Sequence, residues 1–470
     1  MTSPPANGVP DGGGGVAKVS LYKRREKLFV HYVGGYFQNI RLYTGWPLLL
    51  GYFLLPWINW HGRQAVLFDL PARKFYIFGL TLWPQDFILL AWLLIIAAFA
   101  LFLVTSLVGR LWCGYTCPQT VWTSIFLWIE KKTEGSRNQR KKLEKQAMSA
   151  DKFARRSAKH GLWIGVALLT GFTFVAYFSP ARQLLGDLVQ FRASLWAYAW
   201  ILFFSAATYI NAGWLREQVC IYMCPYARFQ SAMIDRDTLV VTYDEPRGEP
   251  RGARKRAAEK TGLGDCVDCQ LCVQVCPTGI DIRQGLQIEC IQCAHCIDAC
   301  NQVMDKMEYP RGLIRYDSEA NVHDRQQQTK PRYLRPRTLG YMAVLVIMIG
   351  LFTVKLGTRV PFGIDVLRER GELYHLEAGK IRNDYTLKIS NKSQSPMKFA
   401  VTATANGEEL EHNGEALMLV PVGDVSSIAF SVYRKSEAIE STFSSLTIAL
   451  CEQTRKQCQS AETRFLAPSP

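Results

Sequence analysis

Five long stretches of this sequence carry no charged side chain, and they restrict the fold more than any other feature. Each is close to the roughly 20 apolar residues that a helix needs to cross the hydrocarbon core of a bilayer. The first stretch is interrupted by Pro47 and Pro56, and the last is short. The sequence therefore predicts a membrane protein with five helical spans, at residues 42–60, 87–109, 161–178, 193–215 and 338–354.

The net charge of +15 invites a nucleic-acid interpretation, but the positions of Lys and Arg argue against it. Basic residues concentrate in the loop at 110–160, whereas the loops at 61–86 and 179–192 hold few. Because cytoplasmic loops carry an excess of Lys and Arg, the 110–160 loop is expected to be cytoplasmic. Five crossings then place the N-terminus and residues 216–337 inside and residues after Leu356 outside. No nucleic-acid partner is expected.

After Arg359, short apolar or alternating segments are separated by Asn, Gly, Ser and Asp, which indicates strands and turns. They predict a small β-sandwich of about 110 residues. Cys451 and Cys458 lie in this region. A local disulfide is the simpler interpretation for an exported domain, and a copper-handling pair is the alternative. The expected strands are 385–389, 399–404, 417–422, 428–433 and 445–450.

Eight cysteines form two runs of the pattern Cys-x2-Cys-x2-Cys-x3-Cys, and the first run is followed by Pro277. This is the spacing of bacterial two-cluster ferredoxins, in which the fourth cysteine of a run ligates the other cluster. Zinc, the rival occupant, is bound by pairs of cysteines rather than by repeated runs of four. His295, inside the second run, is expected to face solvent. We therefore expect two [4Fe–4S] clusters for electron transfer, one on Cys266, Cys269, Cys272 and Cys300, the other on Cys276, Cys290, Cys293 and Cys296.

Two further cysteine pairs share the pattern Cys-x3-Cys-Pro, here called the CxxxCP motif. Cys113 and Cys117 recur 107 positions later as Cys220 and Cys224, which indicates that residues 42–130 and 161–235 are copies of one unit. The following proline predicts that Cys117 and Cys224 cap helices. The helix dipole should lower the pKa of such a thiol. Four soft thiolates would suit Cu(I), zinc or a redox dithiol, and buried structural cysteines are the alternative.

The ordered combination of these motifs resembles the FixG/CcoG (RdxA) family of polyferredoxin-like membrane proteins, which are needed to assemble a cbb-type haem–copper oxidase. The resemblance covers nearly the whole chain. It implies a bacterial cytoplasmic (inner) membrane location, two [4Fe–4S] clusters and a periplasmic immunoglobulin-like C-terminal domain. It also implies that copper is a transient substrate, reduced from Cu(II) to Cu(I) at Cys113, Cys117, Cys220 and Cys224. The product would pass to copper chaperones or oxidase subunits.

The expected fold is a five-span α-helical bundle with a two-cluster ferredoxin-like insert and a C-terminal Ig-like β-sandwich. The leading functional hypothesis is a cupric reductase that takes electrons from a cytoplasmic donor. A quinol-linked ferredoxin-type electron-transfer subunit and a non-enzymatic oxidase assembly scaffold stay open, as does a homodimer. The expected domains are a flexible tail (1–38), the duplicated membrane unit (39–235), the cytoplasmic ferredoxin-like domain with linkers (236–332), the fifth transmembrane helix (333–357) and the periplasmic β-domain (358–470).

Overall fold

The computed structural model describes most of the chain from residue 28 onwards, in a helical part, a cysteine-rich part and a β-rich part. The expected N-terminal tail lies outside the described residues as far as residue 27, and the chain from 28 to 35 is non-helical. The described ranges are 28–254, 262–323, 335–369, 371–377, 379–393, 395–405, 407–413, 418–435, 441–453 and 457–468.

The helical part begins at Tyr36 and ends at Met233, and one long helix follows the cysteine-rich part. Its helices are α1 (Tyr36–Leu54), α2 (Phe87–Val108), α3 (Leu111–Tyr115), α4 (Pro118–Glu134), α5 (Arg137–Lys145), α6 (Ala150–Val175), α7 (Ala181–Val189), α8 (Leu195–Thr208) and α9 (Pro225–Met233). Tyr209–Leu215 and Val219–Met223 are π-helical. The loop before α2 forms the short strands β1 (Asn59–Trp60), β2 (Arg63–Gln64), β3 (Val66–Asp69), β4 (Lys74–Ile77) and β5 (Leu80–Leu82).

Four helices in the described part of the chain are long and apolar enough to cross a membrane. They match four of the five predicted spans and are Phe87–Val108, Ala150–Val175, Leu195–Leu215 and Pro336–Gly357. The first predicted span has different bounds, because α1 starts at Tyr36 instead of residue 42 and includes Pro47. The polar residues Gln38 and Arg41 lie in the first turns of α1, and both side chains contact the cysteine-rich part.

The cysteine-rich part packs at one end of α2 and the β-rich part lies at the other. At the first end, the Leu239 amide donates to the Leu107 carbonyl at 3.0 Å, and Arg335 donates to the Ser106 carbonyl at 2.7 Å. At the opposite end, the Arg359 guanidinium donates to the Asp86 carboxylate at 2.6 Å. The two parts are therefore separated by the length of the apolar helices.

The cysteine-rich part is built on a two-stranded antiparallel sheet that joins its beginning to its end. Its core includes Val241, Ile297, Met304 and Leu313, all nearly inaccessible to solvent. The elements are β6 (Val240–Tyr243), α10 (Glu245–Gly248), α11 (Leu271–Gln274), α12 (His295–Met307), β7 (Ile314–Asp317) and α13 (Glu319–His323), after which the long α14 (Pro336–Gly357) begins.

The β-rich part contains two antiparallel sheets with one shared core. The strands are β8 (Phe362–Arg368), β9 (His375–Glu377), β10 (Lys380–Asn391), β11 (Met397–Ala405), β12 (Glu408–Glu409), β13 (Glu411–His412), β14 (Met418–Val420), β15 (Val425–Lys435), β16 (Phe443–Glu452) and β17 (Cys458–Leu466). One sheet has the order β13-β15-β10-β8 with β9 beside β10, and the other has β12-β11-β16-β17 with β14 beside β11. Tyr385, Phe399 and Phe430 are fully buried between the sheets.

All five predicted strands coincide with observed ones, namely β10, β11, β14, β15 and β16, although residue 417 lies outside the described residues. The predicted disulfide is confirmed: Cys451 and Cys458 are bonded and face each other across β16 and β17. The expectation missed β17 because its side chains are mostly exposed and its apolar residues do not alternate.

Candidate iron–sulfur and thiol site

The eight cysteines of the two runs line two neighbouring cavities, and each cavity contains one of the two predicted sets of four. Cavity A is lined by Cys266, Cys269, Cys272 and Cys300, and cavity B by Cys276, Cys290, Cys293 and Cys296. Each set contains three cysteines from one run and the last cysteine of the other. Cys272 lines both cavities, so the two are adjacent. Four thiols in each set are the donor set that a [4Fe–4S] cluster requires.

The two runs repeat an uncommon backbone conformation at equivalent positions. Asp268 and Gln292 have φ values of 48° and 54°, and Gln270 and Ala294 have values of 55° and 59°. The left-handed region costs a non-glycine residue about 1–2 kcal/mol. Such strained conformations persist where the surrounding structure holds the backbone in place, and they are common at ligand-binding sites. The repeated geometry is therefore consistent with two similar ligand-binding loops.

The two CxxxCP motifs occupy equivalent places but have different local structures. Cys113 lies in α3 and Cys220 in the π-helical segment Val219–Met223. Cys117 and Cys224 are the N-cap residues of α4 and α9, which confirms the prediction from the prolines. The turn between the two cysteines is α-helical in the first motif only.

The structure brings the four CxxxCP thiols together at the end of the helices that carries the cysteine-rich part; they are called the thiol site below. Cys113 interacts electrostatically with the other three thiols, and its Sγ donates to Gln230 Oε1 of α9 at 3.1 Å. Among the described residues, however, no three His, Cys, Asp or Glu side chains converge closely enough to hold one metal ion. The thiol site is therefore a group of neighbouring thiols.

The expected lowering of the thiol pKa at a helix N-terminus is wrong for Cys117. Burial raises the pKa of Cys113 and of Cys220 to about 12. Burial also raises the pKa of Cys117, although the N–H groups of Gln119 and Thr120 at the start of α4 act in the opposite direction. Loss of solvation thus outweighs the helix terminus. These groups are thiols until a cation offsets the cost of the buried thiolate.

The first CxxxCP turn packs directly on the loop that lines cavity B. A Cβ atom added to Gly114 would lie 2.8 Å from the Ile291 carbonyl oxygen and 2.9 Å from that of Gln292. The Tyr115 hydroxyl lies 3.2 Å from that of Tyr316, which donates to the Gln292 carbonyl at 2.7 Å. This turn and the cysteine loop are therefore in direct contact.

Arg110 is a buried cation that the sequence analysis did not single out as a site residue. It is 4% exposed, and its amide donates to Gln292 Oε1 at 2.9 Å. Its guanidinium donates to the carbonyls of Ile288 and Ala227 and so joins the cavity B loop to α9. Its charge also interacts with Cys113, Cys220 and Cys290. The sequence signal that could have identified Arg110 is its position between a predicted span and a CxxxCP motif.

The N-terminus of α1 is seated on α12. The buried Asp298 carboxylate accepts from the amides of Phe37 at 3.2 Å and Gln38 at 2.8 Å, where a negative charge complements the helix dipole. His295 Nε2 lies 2.7 Å from Gln38 Oε1 and also contacts the Arg41 guanidinium. The expectation that His295 faces solvent is therefore wrong, since its ring faces α1.

Three protein-family models match this chain. A 4Fe-4S dicluster domain matches residues 215–319, a 4Fe-4S binding domain matches residues 90–134, and a model described as an IG-like fold at the C-terminal of FixG, putative oxidoreductase, matches residues 352–468. A crystal structure of a FixG-related protein from Vibrio parahaemolyticus is 24% identical, covers 23% of this chain and 99% of that chain, and has a TM-score of 0.22.

Curated relatives match over most of the chain. The nitrogen fixation protein FixG of Rhizobium meliloti is 42% identical over 82% of this chain and 80% of its own length. Protein RdxA of Cereibacter sphaeroides is 42% identical over 86% and 87%, and protein RdxB of the same organism is 40% identical over 86% and 88%. Together with the dicluster match, these relatives indicate bound iron–sulfur clusters and a role in electron transfer. The chain therefore belongs to the FixG/RdxA family of iron–sulfur membrane proteins.

Proposed function

We propose that this protein reduces Cu(II) to Cu(I) at the thiol site and supplies the product to copper chaperones or to subunits of a cbb-type oxidase during its assembly. The observation that carries the proposal is the meeting of thiols from both repeats beside the cavity B loop. Gly114 and Arg110 contact that loop directly. A copper ion at the thiols would thus lie beside an electron-transfer centre.

The residues that would hold the clusters are the two sets of four cysteines that line cavities A and B. When bound, the clusters supply electrons one at a time, which matches the single electron that Cu(II) accepts. The remaining chemistry belongs to the chain. Thiol groups release their protons as copper binds, and soft sulfur ligands favour Cu(I). Met223, exposed between Cys220 and Cys224, adds a thioether for release of the product.

The proposed topology has five spans, with α1 as the first. Its polar residues Gln38 and Arg41 face His295 rather than the bilayer, which supports insertion of the remaining apolar turns. The cysteine-rich part and the N-terminus then lie in the cytoplasm of a bacterial cell. The β-rich part, proposed as an Ig-like sandwich, lies in the periplasm. The Lys and Arg bias of the 110–160 loop supports this orientation.

The test is copper reduction by purified protein with intact clusters that have been reduced with dithionite and freed of excess reductant. Wild-type protein should convert Cu(II) to Cu(I), and the combined variant Cys113→Ser with Cys117→Ser should lose most of this activity. The matched control replaces Cys451 and Cys458 by Ser, which changes the same number of cysteines in the distant β-rich part and should leave the rate unchanged. Full activity in the first variant would remove the proposed site.

A further inference from the structure

A cavity of about 460 Å³ lies between α1 and α4 and is not part of either cysteine-lined cavity. Its size is within the range of about 300–1,000 Å³ that is typical of small-molecule sites. Most of its wall is apolar, and this wall includes Leu42, Trp46, Leu49, Val121 and Ile125. The cavity therefore fits a ligand whose body is hydrophobic.

One end of this cavity is polar and contacts both the first CxxxCP turn and the loop that lines cavity B. Arg41, Ser124 and His295 line it. The Arg41 guanidinium donates to the Gly114 carbonyl of the CxxxCP turn at 2.9 Å and to Ser124 Oγ at 3.3 Å. His295 stands between Cys293 and Cys296, which line cavity B. A polar head group bound here would lie next to the cavity B cysteines.

The cavity has apolar and polar openings. Leu42, Trp46 and Trp128 line it and are 41%, 56% and 55% exposed, so its apolar side is open on the helix surface. His31 and Lys131 also line it and are exposed near the cysteine-rich end. A hydrophobic molecule can thus enter from the lipid, while protons can leave to water.

We propose that this cavity binds a membrane quinol, which is the electron donor for the clusters. The inference rests on the proposed function, because it names the donor for that reduction. Oxidation of one quinol breaks two O–H bonds, gives one quinone, passes one electron to each of two oxidised clusters and releases two protons to water beside His31 and Lys131. Arg41 and Ser124 position the head group by hydrogen bonds to its oxygens. Two adjacent one-electron acceptors match a two-electron donor.

The test uses the complete protein with its clusters in lipid nanodiscs and measures both decylubiquinone binding and cluster reduction by decylubiquinol. Gly45→Leu places a side chain at the cavity wall, where an added Cβ lies 3.6 Å from Val121 and has room to be accommodated. Gly51→Leu is the matched control on the same helix, since its added Cβ would meet no atom within 4 Å from the rest of the described residues outside its own stretch of helix. Ser124→Val is a second variant that removes the hydroxyl. Iron content verifies that each variant is folded.

Saturable binding that Gly45→Leu weakens at least tenfold and Gly51→Leu leaves unchanged would support the proposal. So would loss of quinol-driven cluster reduction in Gly45→Leu together with normal copper reduction by dithionite-reduced Gly45→Leu protein. Failure of wild-type protein to bind the quinone, or equal binding in all variants, would overturn it. If quinol reduces the clusters but reduced protein leaves Cu(II) unchanged, the donor site stands and the copper function fails.

Discussion

Arg110 and Gly114 join the membrane helices to the cavity B loop by contacts that depend on the identity of each residue. The buried guanidinium of Arg110 donates hydrogen bonds to the carbonyl oxygens of Ile288, in the cavity B loop, and Ala227, in α9. Gly114 has no side chain, which allows its backbone to pack closely against the backbone of the cavity B loop. Both residues lie outside the metal-ligand set, and both determine how the thiol site and the cavity B cysteines are held together.

Replacing Arg110 by Leu should destabilise the contact between the cavity B loop and α9. The variant leaves buried carbonyl oxygens without donors, and each such group costs about 1–3 kcal/mol. We expect a lower unfolding temperature of the cluster-containing protein and at least a tenfold loss of copper reduction. Arg228→Leu, an exposed position on α9, is the control and should resemble wild type. Unchanged unfolding of Arg110→Leu would contradict the bridging role.

Replacing Gly114 by Ala should force the CxxxCP turn away from the cavity B loop. The added methyl would meet two backbone oxygens, and such overpacking costs about 1–3 kcal/mol. Electron paramagnetic resonance should detect a changed signal from one cluster and not the other. Gly165→Ala in α6 is the control, since no other part of the described chain lies within 4 Å of its added Cβ. Identical spectra for Gly114→Ala and wild type would argue against the contact.

The cysteines could be predicted from sequence because ligand cysteines occur at characteristic spacings within short segments. Arg110, Asp298 and His295 were missed as contact residues because their partners are distant in sequence. Arg110 donates to residue 288, and Asp298 accepts from residues 37 and 38. The pKa expectation for Cys117 considered the helix terminus and omitted burial, which only the tertiary structure reveals.

At the scale of elements, buried ion pairs join the two copies of the duplicated unit. Glu130 of α4 accepts from Arg216, which follows α8, at 2.5 Å and from Arg140 of α5 at 2.9 Å. Burial raises the pKa of Glu130 and these guanidinium groups lower it, with a net shift downward. Its stabilisation is therefore present above the unfolded-state pKa and is lost as the pH falls through the folded-state value.

Replacing Glu130 by Ala should cost about 3–5 kcal/mol, because it leaves the buried Arg140 and the largely buried Arg216 without their carboxylate. Glu144→Ala is the matched control. Glu144 also pairs with an arginine, Arg156, but its side chain is 43% exposed, so its loss should cost at most about 1 kcal/mol. Thermal unfolding in detergent at neutral pH measures both. Equal shifts for the two variants would contradict the importance of the buried network.

Helix α1 depends on Asp298 in a similar way. Asp298→Ala removes the acceptor for two amides in its first turn, and loss of such a cap costs about 0.5–2 kcal/mol. Asp298→Asn retains an oxygen acceptor and should lose less. Residues 28–35 lead directly into α1, so Asp298→Ala should also increase proteolysis in this segment. Unaltered stability and proteolysis in this variant would contradict the capping role.

Four spans could be predicted from their uncharged apolar stretches, and the bounds of α1 could not. Its first turns are polar because they contact α12, a tertiary requirement that hydropathy does not detect. The sequence contains one signal for the π-helical structure of the second motif. Arg110 precedes Cys113 by three positions, whereas Arg216 precedes Cys220 by four. One extra residue is what a π-bulge accommodates within a helix.

At the scale of the whole molecule, apolar helices separate a cluster-binding part from a β-rich part. The ion pairs of Asp86 with Arg359 and Lys392 fix the β-rich part to the loop before α2. The thiol site and cavities A and B lie together at the other end. Under the proposed topology, electron transfer and copper reduction would occur on one side of the membrane and the β-rich part would lie on the other.

The proposed orientation predicts which positions an impermeant thiol reagent can reach in intact spheroplasts. Leu373→Cys, 59% exposed in the β-rich part, should be labelled from outside. Glu319→Cys, exposed in the cysteine-rich part, should be labelled only after the membrane is permeabilised. Mass spectrometry of peptides that contain each position measures the labelling. Labelling of Glu319→Cys in intact spheroplasts would contradict the orientation.

The most direct test of the central claim is an anaerobic titration of the reduced, cluster-containing protein with Cu(II), followed by copper X-ray absorption and cluster paramagnetic resonance. Wild-type protein should lose one reduced-cluster spin for each Cu(I) formed, and the copper should have sulfur ligands. The Cys113→Ser and Cys117→Ser double variant should retain its reduced clusters and show a weaker copper–sulfur signal. Equal cluster oxidation and equal sulfur ligation in the two proteins would contradict the account.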